Sequence, residues 1–440
     1  MNTTTRTSPL SRRGFLLGAG AVGTSGLLAG CIGSDGGGEE TADGGGTADG
    51  GGSTGMITLQ NSQSDPAPRE AQETLIAEYP GEAEINTVAS EQFRAQLSTY
   101  LTSANPPDVL TWYAGSVARD YAAEGLLLDV SDMWEGEGVC ANFSDALREL
   151  STAEDGSQIF VPTNYYWWSV FYKKSAFEEW GVSAPETWED FLALCEELQG
   201  MGVNPLANGI GSTPWMASGW FDYLNLRING AQYHRELLAG EHAFTDPEVE
   251  AVLEEYTKLI PYFDPNMVSY SYQEAVTPMV QNESAMYLIG AFVTQFFPED
   301  QREDLDFFSV PPINPDVPSA EEAPTDGYFA SSGTDDPEGT KELLAYLASA
   351  QSQQTFIEVS GSSNLPTNPD VDASGFSPLV QKGIELLNNT EEITQFFNRD
   401  SSDALQATAD DALTRFLADP SDIPGILEGW QAAAMQVWDQ

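Results

Sequence analysis

Apolar residues recur along the chain with two alternating spacings, and the alternation predicts a fold. Met56–Gln60 is a short strand pattern, followed by a polar loop from Asn61 to Pro68 and a helix over Arg69–Glu78. Glu84–Val88 is a second strand. Ser90–Ser103 carries Phe93, Leu97 and Leu101 on one helical face, and Pro107–Trp112 is a third strand ending in an aromatic. Strands alternating with helices predict α/β units on a mainly parallel sheet. Ligands bind such sheets beyond the carboxyl ends of the strands. That puts Asn61, Gln63, Asp65, Trp112 and Tyr113 on one rim.

The middle is mostly helical. Thr187 caps a helix to Gln199, with Asp190 three residues on, and Asp246-Pro247-Glu248 opens another that runs to Leu259. Gln273–Gln281 continues the helical pattern. Met286–Ile289 is a buried strand ending at Gly290, and Phe307–Pro311 is another strand. Helices are predicted over Gly339–Ala350, Gln354–Ser360, Pro378–Leu387, Ala404–Leu417 and Pro424–Trp438. No internal repeat is visible.

The pattern changes before residue 56. The apolar run Phe15–Gly30 is short and glycine-rich for a membrane span, which needs ~20 apolar residues. Arg12-Arg13 just ahead of it resembles a twin-arginine export signal, and Leu28-Ala29-Gly30-Cys31 resembles a lipobox. Residues 1–30 are then a signal peptide, and Cys31 is the lipidated first residue of the mature chain. The other reading is an uncleaved anchor helix with an incidental cysteine. Residues 31–55 are nearly all Gly, Ser, Thr, Ala, Asp and Glu after Cys31-Ile32. Such a segment buries too little apolar area to order itself and is expected to be a tether, with a reach of roughly 25–30 Å.

Charge narrows the setting. With 68 acidic and 17 basic residues the formal charge is −51. Self-repulsion on that scale opposes a compact state unless salt screens it, and at molar salt the Debye length falls to ~3 Å. The composition resembles that of proteins from salt-loving archaea. Without a basic patch to neutralise phosphates, the charge argues against nucleic acid as a partner. So many carboxylates also make any one pair weak evidence of catalysis. Besides Cys31 there are Cys140 and Cys195, expected as free, buried thiols because Cys195 shares an apolar helical stripe with Phe191, Leu194 and Leu198. A disulfide is the alternative. Two histidines, and no CxxC, HExxH or G-x-S-x-G motif, predict neither a metal site, nor a cofactor, nor histidine-dependent hydrolysis.

Aromatics gather in polar stretches. Tyr165-Tyr166-Trp167-Trp168 follows Asn164, Trp215 and Trp220 lie in a glycine- and serine-containing stretch read as loop, and Tyr270 and Tyr272 lie in another. Aromatic faces stack on the apolar faces of sugar rings while Asn, Asp and Gln bind hydroxyls. Core packing is the competing explanation for each aromatic, but loops lie at surfaces.

Several stretches stand out together: Pro106–Val109 with Tyr121–Val130; Phe171–Lys174, Phe177–Val182 and Pro185–Phe191; Phe244–Val249; and Lys341–Phe356 followed by Leu365-Pro366. On these the chain resembles the extracellular solute-binding proteins of carbohydrate-uptake ABC transporters, the family that includes maltose-binding protein. The resemblance implies an α/β periplasmic-binding-protein-like fold of two lobes with hinge crossovers near 161–168, 290–292 and 350–361. Lobe one would take 57–163 and 292–350, and lobe two 169–290 and 352–440. It further implies a monomer, lipid-anchored on the outer face of the membrane, that gives a sugar or oligosaccharide to permease subunits. Ligand contacts are expected from Asn61, Gln63, Asp65, Trp112, Asn164, Tyr165, Trp215, Trp220, Tyr270, Gly290, Asp326 and Tyr328. Asp326 is the preferred carboxylate, and Trp215 and Trp220 are the preferred platforms. The scarcity of Arg and Lys near these positions disfavours an anionic sugar. The alternatives are a glycan-binding sensor or adhesion protein without a permease, and a glycoside hydrolase using a carboxylate pair.

Overall fold

The computed structural model describes residues 55–438. The expected signal peptide, the tether up to residue 54 and the lipidation site Cys31 lie outside the described residues. Among the described residues, no helix is long and apolar enough to cross a membrane.

In chain order the strands are β1 (Ile57–Asn61), β2 (Ala83–Thr87), β3 (Val109–Tyr113), β4 (Val161–Tyr165), β5 (Trp168–Lys173), β6 (Asn204–Leu206), β7 (Ser284–Gly290), β8 (Leu305–Phe308), β9 (Ala320–Glu322), β10 (Thr325–Ala330), β11 (Leu365–Pro366) and β12 (Glu392–Thr394). They form a six-stranded sheet ordered β11-β4-β10-β3-β1-β2, a four-stranded sheet ordered β6-β7-β5-β8, and the pair β12-β9. Each larger sheet is the centre of one lobe.

The first sheet shows why alternation predicts burial. Neighbouring residues on β3 point to opposite faces, so Val109 packs with Leu75, Leu343 and Leu347, while Leu110 packs with Phe93, Leu97 and Phe329. The helix Ser90–Leu101 buries Phe93, Leu97 and Leu101, the expected stripe. In the second lobe, Thr187 caps the helix Trp188–Met201 by accepting from the Asp190 amide at 3.1 Å. Cys140 and Cys195 are free, buried thiols in different cores.

The sheets are mixed rather than mainly parallel. β1 runs parallel to β2 and β3, but β10 is antiparallel to both β3 and β4. β5 is antiparallel to β7 and β8. The cause is the connection: β10 returns from the other lobe and enters its sheet from the opposite end. Two segments also belong to the other sheet from the one expected. β8 pairs with β5 in lobe two, so the chain does not leave that lobe at 290–292 but after β9. β11 pairs with β4 in lobe one, and the helix Ala350–Ser360 packs on the helix Pro66–Glu78. The third crossing therefore follows Pro366 rather than lying at 350–361.

Local differences have local causes. The strand expected to reach Pro311 stops at Phe308, ahead of Pro311-Pro312, whose nitrogens cannot donate to a ladder. Of Gln273–Gln281 only Val276–Val280 is helical. Trp215 ends a loop, but Trp220 lies within the helix Met216–Ile228. Gly219, read as a loop residue, serves packing: a Cβ there would come within 2.8 Å of the Trp168 ring.

Candidate functional site

A cavity of about 230 Å³ lies where the two sheets meet. Lobe one supplies the loop Ser62–Asp65 beyond β1 and Trp112-Tyr113 at the end of β3, the rim expected from strand polarity. Lobe two supplies Trp168, Trp215, Tyr272 and Phe292, and the segment Phe396–Arg399 adds Phe396, Asn398 and Arg399.

The walls are aromatic. Trp112 stacks on Tyr113 with centroids 4.6 Å apart. Across the cavity Trp168 stacks on Phe396 at 4.9 Å, and Trp215 meets Phe396 edge-on at 5.6 Å and Tyr272 at 5.4 Å. Three lining residues hold buried polar atoms without a partner in the protein: Trp112 Nε1, Trp168 Nε1 and Asn364 Oδ1. An unsatisfied buried polar group costs about 1–3 kcal/mol, and these three atoms lie behind the cavity surface rather than on it.

Charge in the cavity is paired. Arg399 donates to Asp326 Oδ1 at 2.7 Å and to the Tyr166 hydroxyl at 2.8 Å, and its guanidinium lies 3.9 Å from the Tyr113 ring centroid. Burial pushes the Asp326 carboxyl up, and Arg399 opposes the rise. Arg94 faces Asp403 at 3.5 Å. The expected scarcity of arginine at this site is thus corrected: two arginines line it, each against its own carboxylate. Burial also raises Asp65, opposed by a hydrogen bond from Tyr272.

Polar ties cross the mouth. The Tyr272 hydroxyl of lobe two reaches Asp65 of lobe one at 3.5 Å. Ser116 Oγ donates to the Arg399 carbonyl at 2.7 Å and also to that of Ser401, and Arg94 and Asp403 pair between lobes. These contacts tie the two lobes together beside the cavity.

Of the expected contacts, Gln63, Asp65, Trp112, Trp215 and Asp326 line the cavity. The others are placed elsewhere. Asn61 accepts from the Gln63 amide at 3.0 Å and donates to Thr87, fixing the rim loop. Tyr328 donates to Gln72, which donates to Gln63. Asn164 accepts from Asn364 at 2.8 Å. These three stand one layer behind the wall. Gly290 also shapes the wall from behind, since a Cβ there would meet the rings of Phe292 and Tyr166 within 3 Å. Trp220 is buried at 2% exposure against Phe191 and Phe263, because the helix turns it into the core. Tyr165 and Tyr270 do not line the cavity, whereas Tyr166 and Tyr272 do. Tyr165 and Tyr166 differ by one position at the end of an extended strand, which reverses the face, whereas Tyr270 and Tyr272 are separated along an irregular loop. Sequence reasoning missed Arg94, Asn364 and Phe396–Arg399. The last had one signal, an arginine beside two phenylalanines in an acidic C-terminal region.

Residues 64–354, well over half of the chain, match the family described as bacterial extracellular solute-binding protein. The chain belongs to that family. An ABC transporter extracellular-binding protein of Pyrococcus horikoshii is 24% identical over 67% of this chain and 66% of its own length. The alpha-glucosides-binding periplasmic protein AglE of Rhizobium meliloti is 26% identical over 73% of each chain. Among solved structures, the bacterial solute receptor AcbH, described as exclusively preferring β-D-galactopyranose, superposes with a TM-score of 0.83 at 28% identity, covering 88% of this chain and all of AcbH. The cavity of this solute-binding protein lies between its two lobes, where hinge closure can enclose a ligand.

Proposed function

We propose that the protein captures a neutral, monosaccharide-sized sugar between its lobes and delivers it to the permease of an ABC importer. The observation that carries this reading is the aromatic-walled cavity between the lobes, with the polar side chains of Gln63, Asp65 and Asn398 among its lining. Aromatic faces supply stacking for a pyranose, and the lining side chains of Gln63, Asp65 and Asn398 supply hydrogen bonds. A volume of about 230 Å³ lies below the ~300–1,000 Å³ of drug-sized sites and fits one ring better than a chain of rings. Because Arg94 and Arg399 each already face a carboxylate, no unpaired cation favours an anionic sugar. AglE and AcbH, named for α-glucosides and β-D-galactopyranose, support a sugar ligand.

The N-terminal sequence supports twin-arginine export and a lipid anchor at Cys31, and the charge of −51 supports a salt-loving setting. Cys31→Ala then releases folded protein to the medium, whereas replacing Arg12 and Arg13 by lysine retains precursor inside the cell. Equal membrane retention of Cys31→Ala would point to an uncleaved helix instead. The deciding experiment is a thermal-shift screen of neutral monosaccharides, disaccharides and uronic acids in molar KCl, followed by calorimetry. A ligand at one hundred times its Kd stabilises the native state by about 2.7 kcal/mol. A shift with a neutral monosaccharide supports the reading. A shift with longer chains alone, or with uronic acids alone, overturns its size or charge part, and no shift with any sugar overturns it entirely.

A further inference from the structure

The segment Gln395–Asp400 that brings Phe396, Asn398 and Arg399 to the cavity has no regular strand to hold it. Its only helical turn is Phe397–Asp400. It is held from beneath by carboxylates. Asp222, fully buried in the helix Met216–Ile228, accepts from the Phe397 amide through Oδ2 at 3.0 Å. Asp400 accepts from the Gln395 amide at 2.8 Å, and the Gln395 side chain bridges to the Thr325 amide and the Ala323 carbonyl.

Beside Asp222 lies Glu322 at the end of β9, also fully buried. As ionised groups, both oxygens of Glu322 and Oδ1 of Asp222 lack a partner in the protein. The surrounding groups do not supply one. Glu321 is satisfied by Arg227 at 2.6 Å and by the Tyr223 hydroxyl at 2.9 Å. The Tyr256 hydroxyl donates to the Ala217 carbonyl. Asn225 Nδ2 lies 3.0 Å from His234 Nδ1, which makes Nδ1 the acceptor and leaves the proton on Nε2, 4.0 Å from Asp222 Oδ1. Burial lowers His234 to about 3, with Arg235 adding to the effect, so no imidazolium neutralises the pair. Asp400 adds a further negative charge nearby. Two adjacent buried carboxylates cannot both ionise at tolerable cost, and one proton between them gives each a partner.

We propose that Asp222 and Glu322 share one proton, held on Glu322 and donated to Asp222, and that this pair is the positioning element that sets the Phe396–Arg399 wall of the binding site. Burial raises both groups far above the ordinary carboxylate range, with their hydrogen bond favouring ionised Asp222 over ionised Glu322. Neither carboxylate lines the cavity. It acts through the Phe397 amide, and its consequence for affinity rests on the sugar reading above.

The proton is tested directly by infrared difference spectroscopy of the full folded chain at pH 8 in molar KCl. A protonated-carboxyl stretch that shifts down in D2O is expected in the wild type and lost in Glu322→Gln. Its absence from the wild type, or its persistence in Glu322→Gln, overturns the shared proton. Positioning is tested by hydrogen exchange, which needs no ligand. Asp222→Leu removes the acceptor and is expected to speed exchange across 395–400 at least tenfold while the six-stranded sheet is unchanged. Asp222→Asn keeps an acceptor and is expected to exchange like wild type, as is Glu322→Gln, whose amide replaces the shared donor. Uniformly faster exchange in Asp222→Leu, or unchanged exchange at 395–400, overturns the positioning role. If Asp222→Leu does not fold, loosening of 395–400 in Asp222→Asn overturns it, and retained order there together with loss of the band in Glu322→Gln sustains it. With β-D-galactopyranose as probe, Asp222→Leu is expected to bind at least tenfold more weakly and Asp222→Asn to recover most of the loss. Equal binding by all three proteins overturns the link to affinity, whereas no binding even by wild type counts against this sugar and not against the positioning.

Discussion

Two tryptophans five positions apart have opposite roles, and their substitutions separate binding from stability. Trp215 lines the cavity against Phe396 and Tyr272, whereas Trp220 is packed in the core. Trp215→Ala is expected to weaken sugar binding about tenfold or more, from ~1.5 kcal/mol of lost stacking, with a small change in melting temperature. Trp220→Ala is expected to lose ~3–5 kcal/mol of stability through its cavity. Calorimetry and urea unfolding in molar salt distinguish them, and equal affinity loss with equal destabilisation would contradict the assignment. Asp326 has a third character. Its removal leaves Arg399 buried without its carboxylate, so Asp326→Ala is expected to cost ~3–5 kcal/mol of stability besides affinity. Unaltered unfolding in that variant would show the pair to be dispensable.

At the scale of elements, the helix Met216–Ile228 joins the core to the site. Gly219→Ala adds helix propensity worth roughly 1 kcal/mol, but its Cβ meets the Trp168 ring at 2.8 Å and overpacking costs about 1–3 kcal/mol. Overpacking is the larger effect, so both melting temperature and affinity are expected to fall. A rise in melting temperature with unchanged affinity would mean that Trp168 has room to move. The neighbouring helix Gly230–Leu238 carries His234, whose folded value of about 3 lies below its ordinary 6.5. Between those values the unfolded chain binds more protons, so this contribution to stability is complete above pH 6.5 and is lost as pH falls toward 3. Asp400, raised to about 6, acts oppositely and gains stability as pH falls through 6. Comparing His234→Gln with wild type by urea unfolding between pH 7 and 4 cancels the Asp400 effect. The variant is expected to lose less stability on acidification, by on the order of 2 kcal/mol at pH 5. Parallel pH profiles would show that His234 is not held neutral. Elements with one clean period were legible in the sequence: β1 to β3, the Ser90–Leu101 stripe and the capped helix after Thr187. Those governed by distant partners were not. Gly219 has the local chemistry of a loop, and Trp168, far earlier in the chain, explains it. β8 and β11 change sheets because of partners in β5 and β4. The cavity followed the same division. The rim beyond β1 and β3 was visible from strand polarity, while Phe396–Arg399 is placed by Asp222, which no local pattern connects to it.

For the whole molecule the deciding quantity is charge. The ion pairs among the described residues are mostly exposed, and exposed pairs contribute only ~0–1 kcal/mol each. Against them stands a formal charge of −51. Two interlobe ties also have an acidic setting: Tyr272 reaches Asp65, and Arg94 reaches Asp403 with Glu91 close by. Repulsion between lobes therefore opposes closure before it opposes the fold of either lobe, because each lobe has its own apolar core while these ties between them are polar. The expected order on dialysis from molar KCl follows. The scattering radius of the sugar-free protein grows first, as the lobes part with circular dichroism unchanged. Ellipticity is lost at lower salt, and restoring KCl reverses both steps. A saturating sugar that favours the closed state shifts the first step to lower salt. Ellipticity unchanged down to about 0.1 M salt would overturn the salt-dependent reading of the charge. Simultaneous loss of radius and ellipticity, with no shift on adding sugar, would show that closure and folding are one transition.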